Sequence, residues 1–477
     1  MDAPLKFSFQ KEIMVLDQFH PKQQRIIQND VSILFSRSAF LRKPTIEQIT
    51  DIFRPTVNES RGTLWYSDKA IDSLNRLTRL IFGLSDLSQA VISSAVYEQL
   101  LSTHKQYIGQ DVTPTAEEYV SVVITTLRST VKSYKFLICV EGLVLKGLPQ
   151  LQLGSVRIQH PDPKLFETIK FGGMLPAAPI FEQFNKDLWL IGDGRGDRKI
   201  ATERFELRAL QVVGLLAVCG AILYRGAIWR SRVRAVISPN DNRRAISILS
   251  WEQDGEDPSL NRRMGDELDL EINTQQLSYL TDTCYFQELA SLSDQAKVSE
   301  LQEAILRAIY WFGDAYRDPN RTMKFVKLWS CAEAFFAIEK EGVADLNTTG
   351  LATVLTFGGF GIIAPADYAR ARKRIRDLYD HRSRALHRGT FGGIEPIDLN
   401  ALSFWMAWLI ISMASLCERG YSTFRQVREQ TVRLDKLGKT NFVGRKRGTG
   451  REVAIWFIID GKHSGRSPMR LLLRASS

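Results

Sequence analysis

Paired cysteines are missing from this chain of 477 residues. Cys139, Cys219, Cys284, Cys331 and Cys417 are odd in number and far apart, with no C-x-x-C pair. That excludes a disulfide framework and a sequence-local zinc site, and it suits a reducing compartment. Histidine is scarce, at six residues, which leaves few ways to build a triad or a metal cage. Neither an H-E-x-x-H zinc motif nor a G-x-S-x-G nucleophile turn occurs. The opening MDAPLKFSFQKEI breaks its apolar residues with charge within a few positions and so lacks the apolar core of a secretion signal. Internal repeats and low-complexity tracts are absent. With 44% apolar residues, disorder, collagen-like fibres and coiled-coil fibres are excluded as well. The expectation is a cytoplasmic globular protein of two or three domains that needs no metal and no cofactor.

Long apolar runs are equally few. Ala209 to Tyr224 and Leu402 to Cys417 are each sixteen residues without a formal charge, whereas a bilayer crossing takes about 20. Both are expected as buried core helices, with no membrane partner. Two phosphate-loop look-alikes also fail. In Gly192-Asp193-Gly194-Arg195-Gly196 the third glycine comes one position too early for a dinucleotide loop, so a surface turn is expected. Gly438-Lys439-Thr440 has Arg433 five positions upstream, where a P-loop needs glycine.

What the chain does carry is positive charge. The net value is +10, with 63 basic and 53 acidic residues. Arg425 to Ser477 holds 13 basic against 4 acidic residues and nearly accounts for the surplus. Such a segment points to a polyanionic partner; a solubilising tail is the plainer alternative. Within it, NFVGRKRGTGR sets an aromatic beside basic residues, and Glu452 to Ile459 (EVAIWFII) has the composition of one β-strand.

The pattern predicts an α+β fold in three parts: residues 1–290 as a mixed α+β region with a possible sensor role, 291–424 as an α-helical bundle, and 425–477 as a basic tail. Lys11 to Lys132 is mainly helical in spacing, as in Ala70 to Phe82 and Ala90 to Gln106. KFLICVEGLVL, LQLGSVRIQ, RVRAVIS and AISILSW are short and β-rich. The polar stretch Glu252 to Glu267 is expected as a surface loop. After Ser291 four helices are expected. The first carries Leu301, Ile305, Ala308 and Phe312, the second Phe325, Trp329, Ala332 and Phe336. A third starts near Asp367, after the glycines at 358, 359 and 361, and a fourth follows Pro396.

One constellation carries chemistry, in the third of these helices: Arg376-Asp377-Leu378-Tyr379-Asp380-His381-Arg382-Ser383-Arg384-Ala385-Leu386-His387-Arg388-Gly389. At about 100° per residue, Ala371, Ile375, Leu378 and Leu386 share one face and Arg382 falls in the same arc. A guanidinium on a buried stripe needs a partner. Glu333, beside the apolar stripe of the second helix, can supply a bidentate carboxylate. That pair either serves a site or only ties two helices together. Arg376 lies off the stripe, where solvation is the default.

The run LYDHRSRALHRG, preceded by FVKLWSCAEAFF, resembles the Apea-like branch of the HEPN domains over roughly Ser291 to Arg419. The signature there is Arg, a polar residue, a few variable positions, then His closely followed by Gly; here Arg388 stands between His387 and Gly389. VEGLVLKGLPQLQLGSVRI also looks like the N-terminal part that accompanies such domains in bacterial defence proteins. The resemblance implies a metal-independent endoribonuclease of an antiviral, abortive-infection or toxin system, with RNA as partner, a site often shared by two protomers, and a phage or cellular trigger. A catalytically inactive HEPN module that binds RNA or protein is the alternative. His387 would take the 2′-hydroxyl proton and Arg382 would hold the phosphate, with Ser383 orienting either and Glu333 completing the catalytic set. Arg384, Arg388, Arg374 and Lys373 would bind RNA. Positions 382 and 387 stand about 140° apart on a continuous helix. Either the helix ends before His387, aided by Gly389, or two copies bring their residues together as a homodimer.

Overall fold

The computed structural model describes residues 15–41, 44–51, 54–59, 62–164, 182, 187–225, 233–237, 245–250, 259–264, 269–336, 342–388 and 394–441. The fold is α+β, mostly helical with small sheets. Met1–Lys135 with Asp193–Phe205 forms one compact unit, and Phe136–Gly192 with Glu206–Ser477 forms the other. The expected partition at 290 and 424 therefore divides the chain differently, because sheet and bundle segments fall into one unit.

The first unit is built from α1 (Pro21–Leu34), a hairpin of β1 (Thr56–Glu59) and β2 (Gly62–Trp65), then α2 (Asp68–Phe82), α3 (Ser93–Gly109) and α4 (Ala116–Thr130). A capping box opens α4, where Thr115 and Glu118 satisfy each other's backbone N–H groups. Ile27, Leu34, Leu74, Leu77, Val120 and Ile124 form a fully buried core. The hairpin stands in a region whose spacing is mainly helical, and no strand is expected there. Its four-residue strands are too short to display a period of two.

Two polar groups lie inside this core. His104 is wholly buried. Its Nε2 donates to the Leu34 carbonyl at 2.8 Å, so its Nδ1 accepts from the Tyr66 hydroxyl at 2.5 Å. Asp30, also wholly buried, accepts from Arg76 Nη2 at 2.6 Å and from Ser73 at 3.1 Å.

Four β-rich runs named above become strands: β3 (Lys132–Glu141), β4 (Leu143–Lys146), β5 (Gln150–Leu153), β6 (Val156–Gln159), β8 (Arg234–Ala235) and β9 (Ala245–Ser250). Of these, β3, β5, β6 and β8 join β7 (Leu188–Gly196) in a five-stranded sheet of order β5-β6-β7-β3-β8. β4 pairs in parallel with β11 (Leu270–Asn273). The expected loop at Glu252 to Glu267 instead contains β10 (Ser259–Met264), antiparallel to β9. Its sequence SLNRRM shows no apolar alternation, which hides the strand.

The glycine run at 192–196 is the end of β7 and not a turn. Gly196 has φ +154°, and a Cβ there would stand 2.3 Å from Ile200 Cγ2 and 2.9 Å from the Ala90 carbonyl. Close packing of backbone accounts for that glycine, with no phosphate required.

Both long apolar spans lie in helices, α5 (Arg198–Leu223) and, near the other end, Pro396–Glu418. Each is long and apolar enough to cross a bilayer, yet 67% and 78% of their most apolar windows are buried within the fold. Gly214 of α5 meets Gly313: a Cβ on Gly313 would stand 2.7 Å from the Gly214 Cα. Only glycine lets two helix backbones approach so closely.

After α6 (Thr274–Cys284) the bundle runs α7 (Glu300–Arg317), α8 (Arg321–Phe336), α9 (Val343–Phe357), α10 (Tyr368–Arg388), α11 (Pro396–Glu418) and α12 (Phe424–Asn441). α8 is its centre, packed on α7, α9, α10 and α11, with Phe325 and Trp329 fully buried. Two of these helices depart from expectation. α9 escapes the pattern because Asn347-Thr348-Thr349-Gly350 is poor in helix formers, and burial rather than propensity holds it. α12 takes up the first part of the expected basic tail: Val427, Thr431 and Leu434 form a buried i, i+4, i+7 stripe. Gly438-Lys439-Thr440 lies inside that helix. The NFVGRKRGTGR run beyond Asn441 and the EVAIWFII run lie outside the described residues.

Candidate active site

The site forms where α8, α9 and α10 meet. Arg382 lies on the inner side of α10, its side chain 17% exposed, and its Nη2 stands 2.8 Å from each oxygen of Glu333 on α8. The expected pairing of these residues is present. Its form differs from the expected fork, since a single nitrogen serves both oxygens and Arg382 Nε is buried without a hydrogen bond. A buried donor left open in this way is one a ligand can satisfy.

Tyr379, one turn earlier, joins the parts. Its hydroxyl donates to Glu333 Oε1 at 3.1 Å, its ring stands edge-on to Trp329 with centroids 5.0 Å apart, and the Arg382 guanidinium lies 5.6 Å from its centroid. Burial first, and then the Glu333 charge, hold the Tyr379 phenol above its ordinary range, so it stays a donor at neutral pH. The Asn347 amide of α9, which donates to the Val343 carbonyl at 2.9 Å, lies near this hydroxyl and offsets a little of that rise. Trp329 Nε1 and Asn347 Oδ1 are buried without partners. Three unsatisfied polar atoms therefore belong to residues that touch Tyr379. Neither Tyr379 nor Asn347 is singled out by sequence reasoning; an aromatic three positions before the stripe arginine was the available signal.

The other expected residues separate. Arg374 pairs with the buried Asp398 in the first turn of α11, which ties two helices together. Arg384 is exposed and donates to the Asp380 carbonyl of its own helix at 3.3 Å. Lys373 is exposed and Ser383 half-buried. Arg376, expected in solvent, is half-exposed and pairs with Asp345 at 2.6 Å and Asp380 at 3.2 Å. Ile375, Leu378 and Ala385 line the buried stripe, but Leu386 is 44% exposed.

The helix does not end before His387. Its backbone is helical through Arg388, so positions 382 and 387 are turned about 140° from each other on one continuous helix. The side chains of His387 and Arg388 lie outside the described residues, as does Gly389.

A separate cavity of about 460 Å³ opens in the sheet region, lined in part by Glu141, Leu143, His160, Asp187 and Asp269. Nothing in the sequence marks it in advance, because its walls are brought together only by strand pairing.

Comparison with protein-family models, with curated proteins and with solved structures returns no match.

Proposed function

We propose that the chain is an endoribonuclease of the HEPN type, acting in antiviral defence or as a toxin in the cytoplasm. The observation that carries this reading is Arg382: a guanidinium on a buried stripe, held by Glu333 and Tyr379, with its Nε open. Arg382 binds the scissile phosphate and stabilises the charge that builds on its oxygens. His387 accepts the proton of the ribose 2′-hydroxyl as that oxygen attacks phosphorus, and the 5′-oxygen leaves, giving a cyclic phosphate. The nucleophile belongs to the substrate, so the scheme uses no metal, and DNA lacks the attacking group. Since α10 is continuous through His387, the imidazole reaching a given phosphate comes from a second copy, and the active form is a homodimer.

His387→Ala is expected to lower RNA cleavage by about 10²–10⁴-fold with the fold retained. Cleavage at the parent rate in a folded variant rejects the assigned role. The second reading is a silent HEPN module that binds RNA or protein, favoured by the engagement of Arg382 with Glu333. Protein that retains RNA in EDTA without cutting it decides for that version.

A further inference from the structure

Glu333 and Arg382 form an ion pair with little other charge around it. One turn away on α8 stand Trp329, Ser330 and Phe336, and one turn away on α10 stand Leu378, Tyr379, Ala385 and Leu386, none of them charged at neutral pH. Among the described residues Glu333 is the one carboxylate within ion-pair distance of Arg382. The Tyr379 hydroxyl, donating at 3.1 Å, holds that carboxylate in place.

The guanidinium is only partly used. Its Nη2 stands 2.8 Å from each Glu333 oxygen, its Nε is buried, and its Nη1 makes no hydrogen bond and is not buried. Nη1 is therefore the nitrogen that an incoming phosphate reaches first. With hydrogen bonds of ordinary length at both ends of one planar group, a phosphate oxygen on Nη1 lies about 6 Å from the Glu333 carboxylate. At that range the carboxylate offsets much of the attraction that Arg382 exerts.

Attraction grows in proportion to the charge of a ligand, whereas the cost of removing its water grows with the square of that charge. A nearly neutral pair thus repays the dehydration of one negative charge more readily than that of two. A linkage inside a nucleic-acid strand is a diester with a single charge. A terminal phosphate is a monoester with nearly two at neutral pH, because its second pKa is about 6.

We infer that Glu333 sets the charge class of the ligand, tuning Arg382 to internal phosphodiesters and against terminal phosphate monoesters. This rests on the reading of Arg382 as the phosphate-binding group, and it makes Glu333 a specificity-determining residue of that site.

The test is titration calorimetry of the full chain at neutral pH with two ligands that offer no 2′-hydroxyl: a deoxydinucleoside monophosphate, with one charge, and the matching deoxynucleoside 3′-monophosphate, with nearly two. The parent is expected to bind the diester more tightly. Glu333→Gln keeps an acceptor for Tyr379 and Arg382 but loses the charge. It is expected to tighten the diester about tenfold and the monoester by about the square of that factor, so the monoester gains about tenfold on the diester. Glu333→Ala, which also loses the charge, moves the ratio the same way, and Glu333→Asp, which retains it, keeps the parent order.

Equal changes for the two ligands in the folded Gln and Ala variants overturn the inference. Weaker binding of both does so too, because it makes Glu333 only a support for Arg382, and so does a parent that favours the monoester or binds neither ligand. A parent chain that shows this selectivity and never cuts RNA supports the inference and removes only the catalytic reading.

Discussion

His104 in the first unit and Arg382 in the second are both held in the interior by a tyrosine and one further group, yet they are built to opposite ends. Both nitrogens of His104 are bonded and nothing is left over. Arg382 keeps an open Nε, with the unsatisfied Trp329 Nε1 and Asn347 Oδ1 nearby, while the charged ends of Arg382 and Glu333 stay partly exposed. A closed polar cluster stabilises and specifies a core, whereas an open one holds binding capacity in reserve. Tyrosine serves both: Tyr66 completes a network, and Tyr379 orients a carboxylate and a guanidinium without saturating them.

The largest effect that would break this contrast is on activity. Arg382→Ala is expected to lower RNA cleavage by about 10²–10³-fold, the usual cost of losing one charge-stabilising donor, while urea unfolding shifts by about 1 kcal/mol, since Glu333 keeps the Tyr379 bond and partial solvent contact. A loss of stability larger than the loss of transition-state stabilisation would make Arg382 a structural residue like His104.

Acid should act on the first unit instead. Burial lowers the His104 pKa from 6.5 to about 4. The unfolded chain therefore binds the proton more readily, so the full contribution is present above pH 6.5 and is lost as pH falls toward 4. The shift corresponds to about 3 kcal/mol. Denaturant midpoints followed over that range check it, and His104→Gln should flatten the profile.

Tyr66→Phe removes the donor to His104 Nδ1 and leaves a buried acceptor open. A cost of about 1–3 kcal/mol in unfolding free energy is expected, with RNA cleavage unchanged. Tyr379→Phe gives the smallest stability change, under about 1 kcal/mol for a half-buried bond to a carboxylate that retains Arg382. Its signature is kinetic: a several-fold fall in kcat with KM nearly constant, because Glu333 and Arg382 lose orientation. A fall in stability with no kinetic change would place Tyr379 with Tyr66.

Much of the bundle was legible in the sequence. The stripes of α7 and α8 are regular, Pro396 marks the start of α11, and Arg382 stands out because charge on an apolar arc calls for a partner, which Glu333 provides. The rest was hidden for physical reasons. α9 has weak intrinsic helicity and gains its structure from burial. α12 reads as a basic tail because its buried stripe of Val427, Thr431 and Leu434 is diluted by five cations. The glycine run at 192–196 looks like a loop, yet at Gly196 it reflects the close approach of Ala90 and Ile200, which no local pattern encodes.

Composition and periodicity by themselves determined a mixed fold with a helical second half, the buried character of both apolar spans, and the choice of Arg382 over Arg376. Tertiary structure alone decided that Arg374 braces α11, that Tyr379 links Glu333 to Arg382, and that Asp435 joins α12 to α10 through Tyr368. The periodicity of a helix fixes which side of it a residue occupies, but what stands opposite depends on packing between segments tens of residues apart.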